Sequence, residues 1–305
     1  MSSSTSSFKA FLAAFGFAFA ILFAVSIVAT ETMLRRHILP FDTHADYKRR
    51  FLSSTAATAA FGDSHVANGL VSGQDFDNFG QASDNLQTVI AKIEHRLQRG
   101  GLKRVILQAD PQVFAPYRLK AEQASRIATL IGSDDPPLTI LRAEHRQYLM
   151  RYWWTAVKDP GLIFREPARA ATGVRFNILP KAEQAREASL RVQLHAPVTD
   201  LATIAATGNF RNLVKQLQQF GVQTCLIAFP VSSAYREAAA SIDSFGNAAR
   251  FFREIAGTYG IRYADLSGIF PDDYLGDPDH VLPEFAAKLR DEMINTCFEQ
   301  EKGKH

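Results

Sequence analysis

The chain has 305 residues, 47% of them hydrophobic and 21% charged, and its 34 basic and 31 acidic side chains leave a formal charge of +3. This is globular composition, which excludes a disordered or collagenous chain, and it lacks the dense Lys and Arg that offset phosphate charge, so nucleic acid is not an expected partner. Two cysteines, Cys225 and Cys297, are too few for a zinc ribbon, an iron–sulfur cluster or a disulfide-scaffolded miniprotein.

The first element is apolar. From Ala10 to Thr30 no side chain is charged, and only Ser26 and Thr30 are polar. At about 1.5 Å per residue the run reaches across a hydrocarbon core of roughly 30 Å, so residues 1–34 are expected to form a transmembrane anchor. The alternative is a cleaved signal peptide with Ala24-Val25-Ser26 as its cleavage site. Against it, the apolar run continues through Ile27, Val28 and Ala29, where a signal turns polar. No second run of this length follows, so a single span is expected. Lys9 flanks one end and Arg35 and Arg36 the other, and the positive-inside rule chooses no orientation.

Residues 35–54 read as a polar connector, and residues 55–305 as one α/β domain. Ala56 to Phe61 has the character of a strand ending at Gly62. Leu86, Val89, Ile90, Ile93 and Leu97 follow helical spacing, with Ser83 and Asp84 as candidate caps. Arg104 to Leu107 is a second buried strand. From about residue 111 to 198 the rhythm breaks, with a Ser133-Asp134-Asp135-Pro136-Pro137 turn and an aromatic stretch from Tyr148 to Trp154, so this part is read as an insertion. Beyond it come a helix carrying Leu213, Val214, Leu217 and Phe220, and a strand from Val222 to Phe229. A helix carrying Phe251, Phe252, Ile255, Ala256 and Tyr259 then leads through Gly260 into a strand at Ile261–Leu266, and a closing helix runs from about Pro283 to Phe298. Alternation of this kind predicts a doubly wound parallel sheet, helix-covered on both faces. The two cysteines could form one bridge in an oxidising compartment, but Cys225, inside an apolar strand, reads as a core thiol, so both are expected free or buried.

Two motifs carry chemistry. Gly62-Asp63-Ser64-His65 falls where the first strand ends, and a serine at a strand-to-helix turn presents its hydroxyl at the carboxyl edge of the sheet. Asp277-Pro278-Asp279-His280 lies just before the closing helix. A serine is a poor nucleophile until a base takes its proton, and the base needs a carboxylate to hold its tautomer. Asp277 and His280 offer both from one loop. Each motif also has a plain structural reading, as a capped turn and as a solvated acidic turn.

With that order of blocks the chain resembles the SGNH (GDSL-type) hydrolase and acyltransferase superfamily. The resemblance implies Ser64 as nucleophile, His280 as general base and Asp277 as its orienting partner. It implies an oxyanion hole formed by the N–H groups of Ser64 and Gly80, where such donors are each worth a few kcal/mol. The third block departs from the family's Gly-x-Asn-Asp pattern and reads Gln108-Ala109-Asp110-Pro111-Gln112, so Gln112 is the candidate replacement for the amide donor. With the anchor, this layout looks more like membrane-anchored branches such as the DltD and AlgJ/AlgX-like envelope acylation proteins. The resemblance implies a membrane-anchored O-acyltransferase, O-acetyl in specificity, acting on an envelope or secreted polysaccharide through an acyl-Ser64 ester. Its body would face the periplasm or cell exterior from the inner membrane, with a membrane-embedded acyltransferase as donor partner. An esterase and a non-catalytic scaffold of an envelope assembly complex are the alternatives.

Other groups carry less. Asp42-Thr43-His44 reads as solvated, and His65 as a structural neighbour of the serine. His145 and His195 have no metal-like spacing and read as solvated or capping. Tyr148, Tyr152, Trp153 and Trp154 suit sugar stacking, a membrane interface or core packing equally. Arg96, Arg99, Lys103 and Arg104 read as a solvated edge. With no metal-like spacing no metal is implied, and with no glycine-rich phosphate loop no nucleotide cofactor is implied either.

Overall fold

The computed structural model describes residues 4–37, 43–82, 84–119, 154, 157–159, 161 and 175–299. These fall into two compact units: one holds residues 4–37 and 43–52 with the few described between 154 and 161, the other residues 53–119 and 175–299. In the first unit α1, Ser4–His37, contains a stretch from Phe8 to Thr32 long and apolar enough to cross a membrane. The expected connector is largely helical, forming α2, Thr43–Ser53.

The second unit is built on a five-stranded parallel sheet of order β2-β1-β3-β4-β5, with β1 Thr58–Phe61, β2 Phe76–Asn78, β3 Arg104–Gln108, β4 Gln223–Ala228 and β5 Arg262–Asp265. The order reverses between β1 and β3, and ligands of open parallel sheets bind beyond the carboxyl ends of strands at such a point. The helices are α3 Ser64–Gly69, α4 Leu86–Arg99, the single turn α5 Pro116–Leu119, α6 Lys181–His195, α7 Leu201–Gln219, α8 Ser233–Ala240, α9 Asp243–Tyr259 and α10 Ala286–Phe298.

Strand side chains alternate in direction. Ala60, Ile106, Cys225 and Ile227 therefore share one face, where they pack with Val66 of α3 and Leu289 and Met293 of α10. Their neighbours Phe61, Val105, Leu107 and Leu226 are equally buried. A disulfide joins Cys225 on β4 to Cys297 on α10, with their Cα atoms 5.6 Å apart. The expected free thiols are thus a bridge: α10 crosses the sheet face carrying Cys225, and its last turn brings Cys297 against that strand.

Two local expectations change. Asn85, one residue beyond the two candidates, caps α4 by accepting from the Thr88 N–H at 2.9 Å; Asp84 instead pairs with the buried Lys92, and Ser83 lies outside the described residues. Arg96 is only 1% exposed, donates to the carbonyls of Ser54 and Ala56, and lies over the Phe79 ring. It belongs to the interior rather than to a solvated edge. Of the insertion, α6 is described, and its Ala188 and Val192 pack against Val231, Tyr235 and Phe245. His145, Tyr148, Tyr152 and Trp153 lie outside the described residues, as do Asp42 and the side chain of His44, while Trp154 is exposed.

Candidate active site

β1 ends at Phe61 and α3 begins at Ser64, so only Gly62 and Asp63 make the turn. A side chain at position 62 would run into Gln108 and Val66, which explains the glycine. Asp63 caps α3 by accepting from the His65 N–H at 2.9 Å, donates its own N–H to Gln108 Oε1 at 2.7 Å, and pairs with Arg118 at 2.8 Å. Burial pushes the Asp63 carboxyl up, but the charges of His65 and Arg118 outweigh it and hold the group below its ordinary value. The turn is thereby fixed on every side. Ser64, the first residue of the helix, is half-buried, and its N–H has no partner within the helix.

The other half of the site is the loop before α10. Asp277 Oδ1 accepts the backbone N–H groups of Asp279 at 3.0 Å and His280 at 2.8 Å, and its carboxylate accepts His280 Nδ1–H at 2.8 Å. That bond makes Nε2 the proton-accepting ring nitrogen. Nε2 is buried and has no hydrogen-bond partner among the described residues. Ser232 N–H anchors the loop by donating to the Pro278 carbonyl at 2.8 Å.

His65 brings the two segments together. Its Nε2 donates to Asp279 Oδ2 at 2.9 Å, across 214 positions of sequence, and its ring meets that of His280 edge-on at a centroid distance of 5.2 Å. The neighbours of Ser64 and His280 are therefore in contact, whereas no hydrogen bond joins Ser64 Oγ to His280 Nε2. The His65 Nδ1 donates to Asp110 Oδ2, also at 2.9 Å. Asp110 further accepts from Gln108 Nε2 and from the Phe229 N–H, each at 2.8 Å.

The two remaining expected donors are engaged elsewhere. The Gly80 N–H donates to Asn78 Oδ1 at 2.9 Å, and a side chain there would meet Ala67 N and Val66 Cβ at 2.5 Å. Its backbone thus supports the start of α3. The Gln112 amide packs on the His65 imidazole, with Nε2 3.0 and 3.1 Å from the two ring nitrogens.

His195, expected to be solvated or capping, is buried; its Nδ1 is 2.9 Å from the Tyr235 hydroxyl and its Nε2 3.7 Å from Asp279 Oδ2. Burial lowers its pKa to about 3, only partly offset by Asp279, so it stays neutral. Burial would also raise Asp279, but the hydrogen bond and charge of His65 outweigh it and hold the group well below the ordinary carboxylate range. Arg191 adds a guanidinium 3.1 Å from Asp279 Oδ1. His65, His195 and Asp279 place three donor atoms within 4.8 Å of one another, yet both His65 nitrogens are spent on carboxylates and Arg191 already faces Asp279. This chemistry fits a hydrogen-bonded cluster rather than a cation site.

Beside this cluster, beyond the carboxyl ends of β3, β4 and β5, lies a cavity of about 580 Å³ lined by His65, Gln112, Phe229, Tyr235, Phe245 and Tyr263 among others. Ser64, Asp277 and His280 do not line it.

Sequence reasoning missed His65, Asp110 and Asp279 as a unit. Each sits in one of the blocks singled out, directly beside the residue given a role or within the altered third block, and that shared placement was the available signal.

No family model matches the chain, and no curated protein does. Among solved structures the chain is similar to a protein from Streptococcus pneumonia whose description refers to a platelet activating factor, at 10% identity and a TM-score of 0.41, over 92% of this chain and 98% of that one.

Proposed function

We propose that the protein is a membrane-anchored serine O-acyltransferase whose body works outside the cytoplasm, transferring an acyl group, acetyl by preference, to a hydroxyl of an envelope or secreted polysaccharide. In this reading the body is a doubly wound SGNH-type domain with an insertion, and the strand order of the sheet supports it. Ser64 is the nucleophile, His280 the general base and Asp277 its orienting carboxylate. The observation that carries the proposal is His280 itself: Nδ1 is bound to Asp277, Nε2 is buried without a partner, and the ring packs against the residue that follows Ser64. Such a nitrogen is poised to take a proton.

The reaction has two halves. His280 Nε2 takes the Ser64 hydroxyl proton as Oγ attacks the donor carbonyl; the tetrahedral intermediate collapses to acyl-Ser64, and the leaving group departs with that proton. The acceptor hydroxyl then gives its proton to Nε2, attacks the ester, and releases Ser64 Oγ, which recovers the proton. The Ser64 N–H, at the head of α3, is the donor available to the oxyanion, helped by the positive end of the helix backbone. Gly80 would contribute after parting from Asn78 Oδ1.

Two further features support an exported body. The apolar helix tethers the chain at a membrane, where a fixed donor is met at high effective concentration. The Cys225–Cys297 bridge belongs to an oxidising compartment.

The test uses the full chain in detergent with an activated acetyl ester. The reading predicts an acetyl-Ser64 adduct that turns over faster with an oligosaccharide acceptor than with water. Fast hydrolysis indifferent to added sugar would assign an esterase, and no adduct, with normal envelope modification in cells carrying Ser64→Ala, would assign a scaffold.

A further inference from the structure

The buried cluster around His65 has a strict charge pattern. Asp63, Asp110 and Asp279 reach it from α3, from the end of β3 and from the loop before α10, and each is buried. Three cations answer them: Arg118 on Asp63, Arg191 on Asp279, and His65 between Asp110 and Asp279. The other groups facing the imidazole are His280, His195 and the Gln112 amide, with Tyr235 beyond His195. A neutral imidazole has one N–H and can donate to one carboxylate only. The second carboxylate would then set an oxygen lone pair against a nitrogen lone pair at 2.9 Å, in a site where unpaired charge is costly.

We propose that His65 is a positioning residue, a charged imidazolium that ties the Ser64 helix to Asp279 and so sets His280 relative to Ser64. The proposal rests on the reading of Ser64 and His280 given above. His65 is the residue after Ser64 and Asp279 the residue before His280, so the His65–Asp279 bond spans the two reacting segments one residue away from the chemistry on each side. With both nitrogens committed, His65 has no site left for the substrate proton. Burial by itself would lower its pKa; the hydrogen bonds it donates to Asp110 and Asp279 outweigh that and hold it well above the ordinary imidazole value.

A spectroscopic signature tests the charge without any substitution. In full-length protein in detergent with ¹⁵N-labelled histidine, both His65 ring nitrogens should remain protonated at about pH 8, above the ordinary imidazole range of about 6.5. A His65 with one protonated nitrogen there overturns the proposal. Turnover of an activated acetyl ester tests the positioning role. His65→Leu removes the tie and should lower kcat roughly 100-fold with KM unchanged, the scale expected when reacting groups are displaced by about 1 Å. Should that variant not fold, the His65→Leu/Asp110→Asn pair removes one cation and one carboxylate together and should fold with kcat still low. Wild-type kcat in a folded variant lacking the His65 side chain, or a rise confined to KM, overturns the proposal. Ser64→Ala and His280→Ala separate the two ideas. If they turn over like wild type, the serine reading fails. If they are inactive while the His65 variants are not, only the positioning role fails.

Discussion

Asp279 and His280 are adjacent in the chain but occupy opposite environments. The Asp279 carboxylate is sealed among His65, His195 and Arg191, whereas the His280 ring keeps one nitrogen unpartnered. The sealed groups make stability depend on pH in a way whose sign follows from each shift. His195 has a folded pKa of about 3 against an ordinary 6.5, so its contribution is present above pH 6.5 and is lost as pH falls toward 3, where the unfolded chain binds a proton that the folded one refuses. Asp63 and Asp279 are also depressed, so their contributions are present above the ordinary carboxylate range and are lost in stronger acid. His65 is raised and acts in the other direction: its contribution is full below its ordinary 6.5 and is lost as pH rises through its folded value. The melting temperature of the full chain should therefore peak near neutrality. His195→Gln should flatten the acid limb between pH 6.5 and about 3, by on the order of 5 °C at its lower end. Parallel limbs for wild type and variant, measured by calorimetry, would show that His195 is not the group responsible.

Among the elements, α10 is fastened by more than apolar packing. Leu289 and Met293 bury against the sheet, and Cys297 is bonded to β4 across 72 positions of sequence. A link closing a loop of that length is worth about 4 kcal/mol by loss of unfolded-chain entropy, and measured bridges typically give roughly 2–4 kcal/mol. Cys297→Ala should lower the unfolding free energy by about that much in urea titrations. The His280 loop leads directly into α10, so ester turnover should fall before global unfolding; an unchanged midpoint would mean the bridge carries no stability. The bridge was not legible in the sequence, because a strand cysteine in an apolar run looks the same whether its partner is a side chain or another sulfur. The strands at 58–61, 104–108 and 223–228 were legible, since strands buried on both faces read as short continuous apolar runs. Arg96 was not. Its partners are backbone carbonyls at Ser54 and Ala56, which leave no mark on composition or spacing.

For the molecule as a whole, a parallel sheet and a loop before the last helix place His280 beside the segment that carries Ser64. The order of the two motifs in the sequence pointed to this meeting. The contacts that make it, from His65 to Asp110 and Asp279, could not be read there, because they depend on which strand ends become neighbours once the sheet order reverses between β1 and β3. The central claim is that Ser64, activated by His280, is the reacting group. It is tested most directly by treating the full chain in detergent with a fluorophosphonate and locating the adduct by peptide mass spectrometry. The account predicts a single adduct on Ser64, none in Ser64→Ala, and labelling in His280→Ala slowed by roughly 1000-fold or more, as expected of residues that act as one unit. Labelling at another residue, or labelling of Ser64 at an equal rate without His280, would contradict it.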